Sequence, residues 1–418
     1  MCVTFPRGFQ AAAATAGLKP SGKPDLALLA LTREAAEAGR AASAAAFTTN
    51  QVVGAPVVVG RRWRERHLEG GPALRAVLVN AGNSNAATGE QGERDAMTCA
   101  AETARLLGCA PEEVLPSSTG VIGRPLPVGK IAAALPGLVR DLGCGERADD
   151  ASARAIMTTD LAPKVARASC AIDGREVRLG AIAKGSGMIA PNLDAPAGVP
   201  HATMLAFVTT DAVVRPRALH AALARANEGT FNRISVDAHP SCSDTAVVMA
   251  SGLAGHAPLD LGSASFGVFG EALRNLCLQL AERIIIDGEG AKRIFRVAVR
   301  GAASDTDANR IARRVVDSPL VKAAIHGGDP NWGRIVTAAG NAGVAFDPRE
   351  ACLRIGPVEV YRGGVPRPEA LADRRLRDAM SGNRVEVELA VGTGPGSSWM
   401  LGCDLSAEYV RINADYTT

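Results

Sequence analysis

The chain has 418 residues, enough for more than one lobe around a large core. It is 47% hydrophobic but only 4% aromatic, so the core must come mostly from Ala, Val, Leu and Ile, which argues against stacking of nucleobases or sugars on aromatic platforms. The net charge of +3 is spread along the chain, and its densest runs, RRWRER (Arg61 to Arg66) and ADRRLRD (Ala372 to Asp378), read as solvated faces or loops rather than a nucleic-acid surface.

The first residues, MCVTFPRGFQAAAATAG, show no charged stretch leading into a long apolar one, and no apolar run reaches the length of a membrane span. The nine cysteines form no CxxC and no Cys/His cluster of zinc spacing. Reduced thiols in the cytoplasm, with no metal and no membrane partner, are the expectation. In chain order, ALRAVLVNAG (Ala73 to Gly82) reads as a buried strand closed by a glycine turn. GERDAMTCAAETARLLG (Gly92 to Gly108) reads as an amphipathic helix with a glycine stop. LPSSTGVIGRPLP reads as a turn, ASARAIMTTD as helix, and VRLGAIAKGSGMIAP as a strand running into a turn. DAPAGVPH (Asp194 to His201) holds two prolines and a glycine, which suit neither helix nor central strand, so it reads as an exposed loop and a composition boundary. TMLAFVTTDAVV is strand-like, PRALHAALARANEGTFNRI helical and TAVVMASG strand-like. FGEALRNLCLQLAERIIIDGEGAKR reads as a long helix ending in an acidic turn. A weaker boundary falls at Gly301 to Asp307. RIFRVAVRGA, RIVTAAGNAG, CLRIGPVEVY and RVEVELAVG all read as strands. The alternation makes a mixed α/β chain without repeats.

Several stretches carry chemistry-bearing residues. The Ser-Ser-Thr-Gly turn with Thr119 and Gly120 can aim a hydroxyl and backbone N–H groups at one point, the equipment of an oxyanion hole, although most such turns are only turns. Lys184 opens a GSG turn whose spacing is not that of a phosphate loop; a solvated lysine is the plainer reading and a carboxylate anchor the functional one. Asp287 and Glu289 flank glycines in a turn too short for a calcium loop, fitting a helix-ending turn or a binding carboxylate. HGGDPNWGRI puts His326 in a tight loop with no nucleophile in view and is read as structural. VGTGPGSS (Val391 to Ser398) lacks the lysine of a phosphate loop and reads as a hairpin or flexible loop. Cys242, the one cysteine with a nearby histidine (His239), is read as a small buried side chain. The C-terminal EYVRINADYTT alternates apolar and polar; docked as a strand, it would fix the carboxylate and hydroxyl of Thr418 in place, where an ordinary end would fray.

Taken together and in order, GFQAAAATAGLKPSGKPDLALL, AAFTTN, LVNAGNSNAATG, PSSTGVIG, RAIMTTDLAPK, IAKGSGMIAPN, ATMLAFVTTDA, TFNRISVD, DGEGAKR, DSPLVKAAIHGGDPNWGRI and EYVRINADYTT resemble the glutamate N-acetyltransferase/ornithine acetyltransferase family of arginine biosynthesis over nearly the whole chain. The resemblance implies a layered α/β (α+β) fold of stacked sheets with outer helices and a C-terminal α/β lobe from about residue 300, similar to aminopeptidase-like N-terminal-nucleophile proteins. It implies self-cleavage between Ala202 and Thr203. That gives an alpha chain, 1–202, and a beta chain, 203–418, which begins with the nucleophile and pairs into an α2β2 assembly. It implies an oxyanion hole at Thr119 and Gly120 and substrate binding by Thr158, Lys184, Thr203, Glu289, Asn413 and Thr418. The reaction implied moves acetyl from N-acetylornithine to glutamate with no cofactor; some family members also take acetyl-CoA. The chemistry is coherent, because an N-terminal α-amine titrates near pH ~7.7–8.0 and can deprotonate the hydroxyl of its own residue. In the family the motif Pro-Asn-Met-Ala-Thr-Met-Leu runs uninterrupted, whereas here Asp194 to His201 stands between PNL and ATML. His201 is not a residue the family needs. Two other readings stay open at this level: an N-acyl amino acid hydrolase or altered-acceptor enzyme of the same fold, and an uncleaved binding scaffold.

Overall fold

A computed structural model describes residues 1–193, 204–239 and 241–415. The chain divides into two compact units, the first made of 1–232 and 239–284 and the second of 233–238 and 285–415, as far as described.

The first unit is built on two sheets. One runs Phe9–Ala14, Leu26–Leu31, Ala76–Asn83, Val114–Val121, with only the last pair parallel. The other runs Ala42–Phe47, Thr245–Ala250, Leu205–Thr210, Arg175–Lys184, Lys164–Ile172, with one parallel pair, between Thr245–Ala250 and Leu205–Thr210. Strand side chains alternate between faces. Leu29, Val77, Val79 and Leu115 from the first sheet therefore meet Phe47, Ile182, Phe207 and Val247 from the second in one core. Their neighbours Leu26, Leu28 and Leu78 point the other way, onto Cys99, Ala100 and Ala104 of helix Gly89–Leu107 and Ile131 and Leu135 of helix Val128–Arg140. Burial on both faces explains why LALLAL is a continuous apolar run instead of an alternating one. Stacked sheets with outer helices, as expected, are what this unit contains.

The second unit holds a seven-stranded sheet among the described residues. Helix Asp305–Val316 lies on strands Ile294–Ala302 and Gly396–Cys403, burying Ile311 and Val315 against Phe295, Val297 and Met400. Gly301 to Asp307 is the junction between that strand and that helix. The Ser304 hydroxyl there accepts from the Asp307 N–H and caps the helix.

Five local expectations are corrected. LPSSTGVIGRPLP is not a turn where it matters: Thr119 and Gly120 lie inside strand Val114–Val121. RIVTAAGNAG falls in helix Trp332–Gly340, capped by Asn331, with Ile335, Ala338 and Ala339 buried at helical spacing. The small residues of that stretch give strand and helix patterns equal footing, and the cap decides. CLRIGPVEVY is two strands, Cys352–Ile355 and Val358–Arg362, folded back at Gly356, whose φ of +54° suits glycine. The C-terminal EYVRINAD is helical, within Ala407–Asp415. The terminal Thr418 lies outside the described residues. ASARAIMTTD is helical only as far as Ala155. No helix among the described residues is long and apolar enough to cross a membrane.

Histidines mark one sensitive point of the first unit. The Trp63 and His67 rings stack at 5.1 Å on helix Ala55–Leu68, and the His220 ring lies 6.2 Å from that of His67. Nε2 of His220 has no hydrogen-bond partner among the described residues. Burial, then the neighbouring His67 and Arg64, lowers the His220 pKa from 6.5 to about 4. The unfolded chain therefore takes up this proton first. Its contribution is fully present above pH 6.5 and is lost as pH falls from 6.5 through about 4. Replacing His220 with Phe is expected to leave stability at pH 7 nearly unchanged and to remove about 3 kcal/mol of the acid-induced loss. Thermal melts of both proteins from pH 7 to pH 4 check this, and parallel curves would show that other groups govern the acid branch.

Candidate active site

The site begins where two strands come too close for side chains. Strands Ala76–Asn83 and Val114–Val121 run parallel in register up to Gly82 opposite Gly120, after which the register shifts. Gly120 has φ +130°, and a Cβ there would lie 2.4 Å from the Gly82 carbonyl carbon. Gly82 itself has φ +103°. Only glycine allows this approach, and it turns the end of the strand beside Thr119.

Around this point the polar groups are buried and bonded to one another. The Ser118 hydroxyl donates to Asn80 Oδ1 (2.6 Å), and Asn80 Nδ2 donates to the Asn83 carbonyl (2.8 Å). Asn83 Nδ2 donates to the carbonyls of Arg124 and Pro125, while its Oδ1 accepts from the Asn85 N–H at 2.8 Å. Satisfied in this way, the network holds the loop rigid instead of costing stability.

Thr119 is 1% exposed, and its Oγ1 receives Lys184 Nζ at 3.4 Å. Lys184 is the last residue of strand Arg175–Lys184, opposite Leu205 of the neighbouring strand. The plainer expectation of a solvated lysine is overturned, for Lys184 is 2% exposed. Thr158, half-buried in the turn after helix Glu146–Ala155, donates its N–H to Asp160 Oδ2 (2.9 Å). Asp160 Oδ1 in turn accepts from the Gly185 N–H (2.7 Å) and from Lys164 Nζ (2.5 Å). Burial by itself would raise the Asp160 carboxyl, but Lys184 and Lys164 outweigh it and hold it down at about 2. The structure thus brings Thr119, Gly120, Lys184 and Thr158 into one connected group.

Glu289 and Asn413, both in the second unit, meet each other: Asn413 Nδ2 donates to Glu289 Oε2 (2.9 Å) and to the Tyr409 carbonyl (3.0 Å). Glu289 is 9% exposed in the turn after helix Phe266–Ile286, and Asn413 is exposed on helix Ala407–Asp415. Ser406 Oγ donates to the Gly290 carbonyl at 2.7 Å, tying that turn to the start of the same helix. Ala202, Thr203, Thr418 and the Asp194 to His201 stretch lie outside the described residues. Met204 is described, and it is fully buried: its N–H donates to Asp244 Oδ1 (2.5 Å) and its carbonyl accepts from the Thr245 N–H (3.0 Å).

Two other residues were set aside in the sequence. His326 lies in the last turn of helix Pro319–Gly327, not in the tight loop expected, and bonds through Nδ1 to Asp404 Oδ2 (2.6 Å), a carboxylate that also accepts the backbone N–H groups of Lys292 and Arg293. Cys242 is buried, and burial pushes its thiol up, away from a reactive thiolate. Sequence reasoning missed Asp160, Lys164 and Asp244. The i,i+4 spacing of Asp160 and Lys164 in TTDLAPK was the only signal for the first two. A largely apolar cavity of about 300 Å³ beside Trp63, Met97 and Val114 sits at the far end of the Thr119 strand and belongs to none of this chemistry.

Fold and site together define the class: a layered α/β enzyme of acyl transfer. Residues 10–418 match the ArgJ family, and the chain belongs to it. It is similar to the arginine biosynthesis bifunctional protein ArgJ of Thermus thermophilus (45% identity over 421 residues, all of both chains). The protein of the same name from Thermosynechococcus vestitus is 42% identical over 429 residues, covering all of this chain and 98% of that one. Among solved structures, the ArgJ protein of Bacillus halodurans is 39% identical and covers 51% of this chain and 100% of its own, with a TM-score of 0.49. An ornithine acetyltransferase of Mycobacterium tuberculosis, complexed with ornithine, is 37% identical over 46% of this chain and 95% of its own, with a TM-score of 0.39.

Gly120→Ala tests the geometry directly. A Cβ at this φ, pressed on the Gly82 backbone, is expected to cost about 3 kcal/mol or more and to lower the melting temperature accordingly. A variant as stable as the parent would mean that the two strands separate there freely.

Proposed function

We propose that the chain is an ornithine acetyltransferase that moves the acetyl group of N-acetylornithine to glutamate through an acetyl-Thr203 intermediate. The observation that carries this reading is the meeting of Lys184 Nζ and Thr119 Oγ1 inside a member of the ArgJ family. A buried ammonium beside a strand-end hydroxyl suits a substrate with an α-carboxylate and a carbonyl oxygen that becomes an oxyanion.

The chain is first cut between Ala202 and Thr203, leaving fragments 1–202 and 203–418 that stay together and pair as α2β2 in the cytoplasm. The freed α-amine of Thr203 takes the proton of its own hydroxyl, and Oγ1 attacks the acetyl carbonyl carbon. The Thr119 hydroxyl and the Gly120 N–H stabilise the oxyanion. As it collapses, the C–N bond breaks, the proton passes to the departing nitrogen, and ornithine leaves. The amine of glutamate then attacks the acetyl ester, the α-amine relays the proton back to Oγ1, and N-acetylglutamate departs. Thr158, Lys184, Glu289, Asn413 and Thr418 bind the amino-acid portion. The pair Asn413–Glu289 supports the role of Glu289, since it leaves a carboxylate oxygen oriented by a side-chain amide for a cationic group. Acetyl-CoA would enter the same chemistry as a thioester donor.

Ornithine release from N-acetylornithine, measured with and without glutamate, tests the reaction. Release that needs glutamate is expected; equal release without it means a hydrolase, and no release from an uncut chain means a scaffold. Amino-terminal sequencing of the second fragment is expected to read Thr-Met-Leu-Ala, and Thr203→Ala to stay one inactive chain. Thr119→Ala is expected to lower kcat by about 10²–10³ with a smaller change in KM, and an unchanged kcat would remove it from the oxyanion hole.

A further inference from the structure

Thr119 faces the second sheet, and what holds it lies on the other side of its own. Side chains alternate in direction along Ala76–Asn83 and Val114–Val121. Val79 and Leu115 point into the core shared with the second sheet, and Leu78 and Val114 point onto the outer helices. Thr119 is on the side of Leu115, where it meets Lys184. Asn80 and Ser118 pair in register on the side of Leu78 and Val114, and are 5% and 3% exposed. An amide buried there stands where an apolar side chain could have packed on the helices, and it costs stability unless its polar atoms are bonded.

Asn80 is bonded in a way that joins two strands. Its Nδ2 donates to the Asn83 carbonyl at 2.8 Å, reaching past Ala81 and the left-handed Gly82, so the side chain closes the turn in its own strand. With Nδ2 committed, Oδ1 faces the neighbouring strand and accepts the Ser118 hydroxyl at 2.6 Å. Ser118 is the residue before Thr119. Backbone pairing becomes irregular at this level, because Asn83 stands opposite both Thr119 and Val121. The amide of Asn80 therefore ties the bent end of one strand to the residue that carries Thr119 on the other. None of these groups is charged.

We propose that Asn80 is a positioning residue for acyl transfer, holding the Gly82 turn and Ser118 together from behind the sheet and so aiming the Thr119 hydroxyl at the oxyanion. The inference rests on the reading of Thr119 as part of the oxyanion hole. Asn80 touches no substrate and moves no proton. Its loss acts on the step in which the oxyanion forms, and not on the grip of the amino-acid portion, which the proposed reaction gives to other residues.

The test compares kcat for acetyl transfer from N-acetylornithine to glutamate with the dissociation constant of ornithine by calorimetry. Ornithine carries no acetyl carbonyl, so its binding reports the pocket without the oxyanion hole. Asn80→Ala is expected to lower kcat about tenfold or more and to leave ornithine binding within about twofold. Added to Thr119→Ala, it is expected to slow the enzyme by less than about threefold further, because the hydroxyl it positions is already gone. Ser118→Ala removes one of the two bonds of the amide and leaves the Gly82 turn closed. It is expected to lower kcat about threefold with ornithine binding unchanged, and its combination with Thr119→Ala decides the matter in the same way if Asn80→Ala does not fold. Single and double losses that multiply overturn the proposal, since a general loosening would act regardless of the Thr119 hydroxyl. So does ornithine binding that weakens in step with kcat. Full kcat in Asn80→Ala or Ser118→Ala beside a slow Thr119→Ala removes this inference and leaves the oxyanion hole standing. Full kcat in Thr119→Ala removes the hole, and the role of Asn80 with it.

Discussion

The approach of two backbones at Gly82 and Gly120 is the constraint on which the rest of the site depends. With a would-be Cβ only 2.4 Å from the facing carbonyl carbon, the parallel pair cannot continue as a regular ladder. The strand end bends instead, and Thr119 is left buried at the point of departure. The Ser118–Asn80–Asn83 chain of hydrogen bonds ties the strand end to the residues just before it. The second sheet answers from the other side of the core. Its central strands share the packing of Ile182, Phe207 and Val247, so the end of Arg175–Lys184 is fixed relative to the first sheet, and the Lys184 ammonium arrives at Thr119. The apolar sandwich is thus what sets a polar distance of 3.4 Å.

Electrostatics completes what packing starts. Two carboxylates, the buried Asp160 in the first unit and the half-buried Asp317 in the second, behave oppositely. Burial wins at Asp317, whose pKa is raised although Arg313 and a hydrogen bond from Ser235 pull the other way. At Asp160 the two lysines and the Gly185 N–H win, and the group stays ionised. What separates them is direct contact: an ammonium at 2.5 Å and two backbone N–H groups saturate the Asp160 oxygens. A buried ion of this kind is costly to keep, and it is the sort of feature that a fold carries for a site more than for stability.

The fold was largely legible because its long elements repeat cleanly. LALLAL and VRLGAIAK are strands buried on both faces, and GERDAMTCAAETARLLG ends on a left-handed Gly108 as its sequence announces. The short Ala- and Gly-rich stretches were not, since RIVTAAGNAG satisfies either period and only the Asn331 cap selects helix. Within the site, Thr119 and Lys184 were legible as candidates but not as buried. PSSTG has the composition of a turn, and what makes it a strand is its parallel pairing with residues 76–83, a partner some forty positions away in the chain. Asp160 was illegible for a related reason: Lys164 is near it in sequence, but Lys184 and Gly185 reach it only through the sheet.

Asp244 carries the same logic to the other end of the site. It precedes strand Thr245–Ala250, and its carboxylate takes the N–H of Met204 while the strand takes the Met204 carbonyl. Met204 is therefore held on both sides of its own backbone, one residue after the proposed nucleophile. A residue that must first present a peptide bond for cleavage and then act as a free chain end loses its covalent anchor on one side. Such a residue would keep a covalent anchor only through the one that follows it. Met204 is held by a buried carboxylate and a central strand, both contributed by residues later in the chain. Under the proposed cleavage, the covalent anchor of residue 203 would be Met204 alone, and it is this residue that Asp244 and the strand hold.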